Sequence, residues 1–398
     1  MSKLAKKMPL KWKRGLSSFL LALFLCLFCY LAESIPFSVG EPIWQFFVIE
    51  RLIQENVGKK DQLDEGFFIN VGYDKVIADI SLYNGLFTGS VAITDRQALD
   101  DLLRRLQEDD TYKYIFLDVR FEKGINTPQD SQLFHRISQM RDIVIADHHE
   151  IELASPVLQE KAVLSDYKMA TYSTGFSRYQ FLQGDRETAP LRIYRDITGN
   201  SIRKVGFLPF YASEGKPCQN TLFIRIPVDF SNRRPNREKM LYYDYGAQIV
   251  EDFPLKTLTN GKYVIIGDYV EDKSGTYLGE QPNPYIAYLA TLSLLRGYHI
   301  YRSLFIVFVF VLFWWLSWFA IQGKQPSITL WLMSLKGKRI KNVYVQWFLS
   351  FFSYGFYLSI ACLVFFLIWK TTFSIFFSSL ILTLVTNAGS IRATNDEE

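Results

Sequence analysis

Histidine and cysteine are both scarce in this chain: four of each in 398 residues. Three cysteines, Cys26, Cys29 and Cys362, fall in apolar runs. Cys218 is left by itself in the long polar middle of the sequence, so no disulfide can form within that region and it must fold on a hydrophobic core. Phosphate loops are missing too. No GxGxxG follows the first strand, and no GxxxxGK[ST] occurs anywhere, which speaks against a nucleotide site. No Ser, His and Asp set sits in a recognisable nucleophile turn.

Charge is absent from four stretches: Gly15–Ala32, Ser303–Ile321, Trp347–Trp369 and Thr371–Ile391, of 18, 19, 23 and 21 residues. About 20 apolar residues cross the ~30 Å hydrocarbon core as a helix, so the expectation is four spans, at 15–34, 303–321, 347–369 and 371–388. Lys3, Lys6, Lys7, Lys11, Lys13 and Arg14 precede the first with no acid among them. Lys324, Lys336, Lys338, Arg339 and Lys341 occupy the acid-free loop 322–346. Positive charge marks the cytoplasmic side. The expected topology therefore has residues 1–14, the basic loop and the tail 389–398 in the cytoplasm, and residues 35–302 outside a bacterial inner membrane. Ala32-Glu33-Ser34 carries small residues at signal-peptidase spacing, but the run before it is too long for a signal core, so an uncleaved anchor is expected.

The formal net charge of +4 hides a segregation. Residues 34–302 hold 31 Lys and Arg against 36 Asp and Glu. An outer domain that is mildly acidic, with basic patches explained by topology, gives nucleic-acid binding no support.

Within that domain, apolar runs alternate with amphipathic segments. Glu41–Val57 has helical spacing. Strands are expected at Phe67–Val71, Tyr114–Asp118, Ile143–Asp147, Leu222–Val228 and Tyr263–Ile266. Helices are expected at Asp95–Glu108, with Thr94 as cap, and at Asp130–Met140 and Pro284–Leu295. Residues ~160–230 read as an antiparallel insertion. The fold class is α/β: a mainly parallel sheet flanked by helices, with that insertion, plus four transmembrane helices. Gly267 is expected to make a sharp turn where the last core strand ends, the edge at which open α/β sheets hold ligands.

Several stretches together resemble the type-two CHASE domain, an extracytoplasmic sensory module of bacterial cyclases and kinases. They are TDRQALDDLLRRL, then FLDVRFEKGINTPQDSQLFHRI with Asp118, Phe121, Asp130 and Leu133 at matching positions, GDRETAPLRIYRDITG, and GKYVIIGDYVED. One span before the domain and three after it fit the same plan. After the glycine, DKSGTYLGEQPNPY keeps Asp272 and only a loose Thr and Pro content. The resemblance implies a sensor, not an enzyme. Because the sequence stops at SIRATNDEE without a kinase or cyclase, output is expected to pass to a separate cytoplasmic effector. The rival partner is an envelope protein, with the chain acting as scaffold. The remaining partner is membrane lipid beside the basic loop, and a homo-oligomer is compatible. No cofactor is implied.

Carboxylates ending strands define the candidate ligand site: Asp118, Arg120, Asp147, Asp268 and Asp272. Short polar residues also cap turns, and that is the blander role for them. DHHE, at Asp147–Glu150, offers Asp147, His148 and His149 as candidate metal ligands. Asp-His-His after an apolar strand also resembles the signature of a family of metal-dependent phosphoesterases. Those enzymes need earlier His and Asp ligands as well, and no histidine precedes His135.

Overall fold

The computed structural model describes residues 10–33, 65–81, 87–148, 152–165, 178–223, 243–244, 254–276, 279–324, 326–328, 343–369 and 371–395. The expected helix at 41–57, residues 224–228 of the expected strand, His149, Glu150 and most of the basic loop lie outside them.

The chain begins with helix α1 (Leu10–Glu33). The α/β domain opens with β1 (Gly66–Asn70), the hairpin β2 (Lys75–Ser81) and β3 (Phe87–Thr94), then α2 (Arg96–Asp109). β4 (Tyr114–Asp118), α3 (Asp130–Gln139), β5 (Ile143–Asp147) and β6 (Ala162–Leu164) follow. Short antiparallel pieces come next: β7 (Arg178–Gln180), β8 (Leu182–Gln183) and β9 (Arg186–Glu187). After α4 (Ala189–Thr198), strands β10 (Arg203–Val205), β11 (Phe210–Ser213) and β12 (Lys216–Cys218) form a three-stranded antiparallel sheet. β13 (Thr221–Phe223), β14 (Tyr243–Asp244), α5 (Leu255–Thr259), β15 (Tyr263–Gly267) and the hairpin β16 (Lys273–Thr276) and β17 (Gly279–Pro282) lead into α6 (Asn283–Leu295). Three apolar helices end the chain: α7 (Ser303–Ile321), α8 (Val343–Trp369) and α9 (Ile375–Asn395).

Six strands make one wholly parallel sheet in the order β14-β1-β15-β4-β5-β6. Side chains alternate between two cores, as the two-residue period of a strand requires. Ile115, Leu117, Ile143, Ile145, Val264 and Ile266 pack against α2 and α3 through Leu99, Leu103, Leu133 and Ile137. Tyr114, Phe116, Val144, Tyr263 and Ile265 face α6 and α4. Burial on both faces explains why these strands read as unbroken apolar runs.

β15 comes late in the sequence yet sits between β1 and β4. Its register sets Gly267 opposite Asn70 on one side and Asp118 on the other. Gly267 makes no turn: it is an extended strand residue paired on both sides. Its missing side chain serves a close approach, because a Cβ there would lie 2.5 Å from Pro284 Cγ and 3.2 Å from Asp118 Cβ. Pro284, at the first turn of α6, rests directly on the strand end.

Other expectations shift. Asp95, not Thr94, caps α2, accepting from the backbone N–H of Gln97 at 2.9 Å and of Ala98 at 3.3 Å; Thr94 ends β3 instead. Within the expected antiparallel insertion, β6 joins the main sheet in parallel. Thr198-Gly199-Asn200, a turn signal within that segment, is the end of helix α4, which carries Pro190 in its first turn and stops at Gly199 with φ 75°. Proline in the first turn and a left-handed glycine at the end are the marks of a helix.

α1, α7 and α8 are long and apolar enough to cross a membrane; the apolar part of α9, Ile375–Gly389, is shorter. Residues Thr371–Ser374, expected inside the last span, are not helical and precede α9. The four helices share one core, with Leu25, Phe313, Leu358 and Leu382 buried. The polar residues of α9 lie on its buried face, while Phe376, Leu380 and Leu384 are exposed. Ser378, Ser379, Thr386 and Asn387 return hydrogen bonds to the carbonyl four residues earlier, and the hydroxyls of Tyr354 and Thr386 bond across to α8 at 2.7 Å. The outer surface is apolar: Leu20, Leu23 and Phe24 of α1, Val307 and Val311 of α7, and Phe348, Phe352 and Phe356 of α8 are exposed.

Gly267→Val is expected to destabilise the domain by about 1–3 kcal/mol, the usual range for overpacking. Gly275→Val, where a Cβ meets nothing within 4 Å, should leave stability near that of the parent. Melting temperatures of the two purified variants in detergent check this.

Candidate functional site: an acidic cleft at the carboxyl edge of the sheet

The carboxyl ends of β1, β15 and β4 lie side by side and open into a cleft of about 370 Å³. Asn70, fully buried, fixes the exits of two strands. Its side-chain oxygen accepts from the N–H of Gly72 and of Tyr269, each at 3.0 Å. A Cβ on Gly72 would fall 2.5 Å from Asp268 Oδ1, so any larger residue there would displace that carboxylate.

Four of the five expected ligand residues line this cleft: Asp118, Arg120, Asp268 and Asp272. His148 joins them. Their roles differ. Asp268 is a turn cap, accepting from the N–H of Val270 and of Glu271 at 2.8 Å. Burial pushes its carboxyl up, but those bonds and Lys75, 3.2 Å away, outweigh it and hold the pKa below the ordinary value.

Asp118 is the opposite case. Its side chain is 1 % exposed. Oδ2 has no hydrogen-bond partner among the described residues, and Oδ1 lies 3.9 Å from His148 Nε2. Burial drives its pKa well above the ordinary value; the charge of Asp272 adds to this, and Arg120 offsets part of it. Asp272 is raised by burial too, against the opposing pull of its hydrogen bond from Asn283 Nδ2 at 2.7 Å and of His148 and Arg120.

Asp147 goes elsewhere. It forms an ion pair with Arg186 and does not line the cleft. His149 lies outside the described residues. Among the described residues no group of three or more His, Cys, Asp and Glu is arranged to hold a metal ion.

Some lining residues carried no signal as site residues in the sequence. Lys75 pairs with Asp268 and Glu271, and the β2–β3 hairpin supplies Val91 and Ile93 as an apolar wall. Both reach the cleft only because the hairpin folds back over the sheet edge, which no local pattern encodes. Arg96 supports the loop after β4 from beneath. Its guanidinium donates to the Arg120 carbonyl at 2.9 Å, lies 3.7 Å from Asp130 and stacks 4.4 Å from the Phe121 ring centre. Burial lowers its pKa to about 10, which leaves it charged at neutral pH.

Compared with known proteins, the chain matches no family model, no curated protein and no solved structure.

Five carboxylates, Asp118, Glu122, Asp268, Glu271 and Asp272, face two permanent cations, Lys75 and Arg120. A carboxyl whose folded-state pKa is raised binds its proton more tightly in the folded chain. Its contribution is therefore most favourable at low pH, and stability falls as pH rises from about 4, the ordinary carboxylate value, through the raised one. Asp118→Asn should melt above the parent at pH 7–8, with the gap closing toward pH 4. Each unit of elevation corresponds to about 1.4 kcal/mol. Melting curves across that range test the sign.

Proposed function

We propose that this chain is a multi-pass protein of a bacterial inner membrane whose α/β domain lies on the extracytoplasmic side, binds a small cationic ligand in the acidic cleft, and relays occupancy through its helices to a separate partner. The likeness to the type-two CHASE module belongs to this reading, as does a fourth span formed by α9.

One observation carries the proposal: the cleft wall is hydrogen-bonded to the first residue of the helix that leads toward α7. Asp272, on the cleft wall, is bonded to Asn283 twice. Its carboxylate accepts from Asn283 Nδ2 at 2.7 Å, and its carbonyl accepts from the Asn283 N–H at 3.0 Å. Asn283 begins α6, whose residues from Pro284 to Leu294 are all buried. Thirteen helical residues span about 20 Å. Seven residues, 296–302, separate its end from the start of α7.

A ligand shifts such a system only by binding its two states unequally. A cation drawn between Asp118 and Asp272 meets that condition, since it would offset the repulsion between two buried carboxylates and change the position of the one tied to α6. The basic loop 322–346 supplies a surface for the partner on the other side.

Two measurements test this. Purified protein should melt higher with organic cations such as putrescine or arginine amide than with matched anions, and Asp118→Asn and Asp272→Asn should lose that gain. Protection by anions alone would refute a cation site. Cys218 is buried, and burial raises its thiol pKa to about 12, so it is a poor reporter of sidedness. Arg141 has an 87 % exposed side chain. Arg141→Cys should react with a membrane-impermeant thiol reagent on intact spheroplasts; reaction only after lysis would reverse the topology.

A further inference from the structure

We propose that the tip of the β10–β11 hairpin, Gly206–Pro209, is a membrane-seated finger that lies in the headgroup layer beside α1 and α7. The inference rests on the reading that those helices cross the bilayer, and it concerns a surface remote from the cleft.

Phe207 is 89 % exposed, and Val205 and Leu208 beside it are exposed as well. Gly206, with φ 75°, makes the reversal that presents them. In a water-facing hairpin such a cluster would be an unexplained apolar patch. Its position explains it. Phe210, the residue paired with Val205, stacks on Tyr30 near the end of α1, ring centres 5.3 Å apart. The N–H of Tyr211 donates to the Tyr30 hydroxyl at 2.8 Å, and that hydroxyl donates to the Cys218 carbonyl at 3.1 Å. On the other side Gln219 Nε2 donates to the Tyr301 hydroxyl at 2.7 Å, and Tyr301 stacks on Phe305 of α7. The small sheet therefore sits on the rim where α1 ends and α7 begins. Phe207 is three residues from Phe210, at most about 10 Å along an extended chain.

The charges fit lipid. Arg203 and Lys204 are exposed on the strand leading to the tip, and no acid occurs from Arg203 to Ser213. Aromatic and aliphatic groups at the acyl boundary with basic groups at the phosphates are the pattern of an interfacial anchor.

The test uses the full chain in nanodiscs of phosphatidylcholine and phosphatidylglycerol, in a Cys26→Ala background because the other three cysteines are buried. Nitroxide labels are placed singly through Phe207→Cys, through Leu208→Cys as a second reporter, through Phe308→Cys on the exposed face of α7, and through Arg141→Cys as the water reference. Collisions with oxygen and with a soluble nickel chelate are compared. Labels at 207 and 208 should show an oxygen-to-nickel ratio several-fold above that at 141 and close to that at 308. A ratio at 207 and 208 equal to that at 141, with 308 still lipid-like, overturns the finger and leaves the spans intact. Shielding from both agents points to a protein contact and also overturns it. A water-like ratio at 308 removes the membrane reading itself, and the finger with it.

Discussion

Pro284 can lie on the end of β15 only because Gly267 has no side chain. That single steric condition joins the two halves of the molecule. It brings the first turn of α6 to the carboxyl edge of the sheet, where Asn283 meets Asp272 and the cleft begins. Any Cβ at position 267 would push the helix off the strand, and the same displacement would separate the cleft wall from the rod that leads to α7. The two-sided pairing of β15 makes the condition strict, since Gly267 is held by Asn70 on one flank and by Asp118 on the other. The helix has to accommodate the sheet, because the sheet cannot move aside.

The cleft itself is a balance between burial and charge. Desolvating a carboxylate is costly unless it is paired or bonded. The site resolves this differently for each of its three aspartates. Asp268 is bonded by two backbone N–H groups and Lys75, and is kept ionised. Asp272 receives one side-chain amide. Asp118 receives least and is buried most, with one oxygen unpartnered among the described residues. This gradient separates the three carboxylates more sharply than their shared place at the carboxyl edge of the sheet. The turn-capping role raised for all of them fits Asp268 well and Asp118 not at all.

How much of this the sequence disclosed follows from the range of the interactions. YIFLD and IVIAD run from end to end as the strands observed, because a strand buried on both faces is apolar throughout and its limits are marked by the polar residue that ends it. The grouping of Asp118, Arg120, Asp268 and Asp272 was within reach, since parallel strands all end at one edge. Asp147 obeyed the same rule and still left the group, because Arg186, 39 residues away, is close enough to claim it. Lys75 and the apolar wall of the β2–β3 hairpin depend on how that hairpin folds over the edge, and nothing local reports it. Gly267 shows a further limit. A glycine at a strand end suggests a turn, whereas here the atom it makes room for belongs to a proline 17 residues later.

The membrane end obeys the same logic in reverse. α9 is the weakest candidate span by composition and the most enclosed by packing. Its serines, threonines and asparagine bond to carbonyls one turn back or across to α8, so its polarity reflects neighbours, not water. In a lipid-surrounded bundle the interior is where polar groups are tolerated and the exterior must be apolar, and the exposed side chains of α1, α7 and α8 satisfy that condition. The junction with the domain is bonded as well as packed: Tyr30 of α1 and Tyr301, just before α7, each engage the β11–β12 region through hydroxyls. α1 and the segment that opens α7 are thus tied to one small sheet at the rim, and α6 runs from the cleft edge of the parallel sheet to the turns that precede α7.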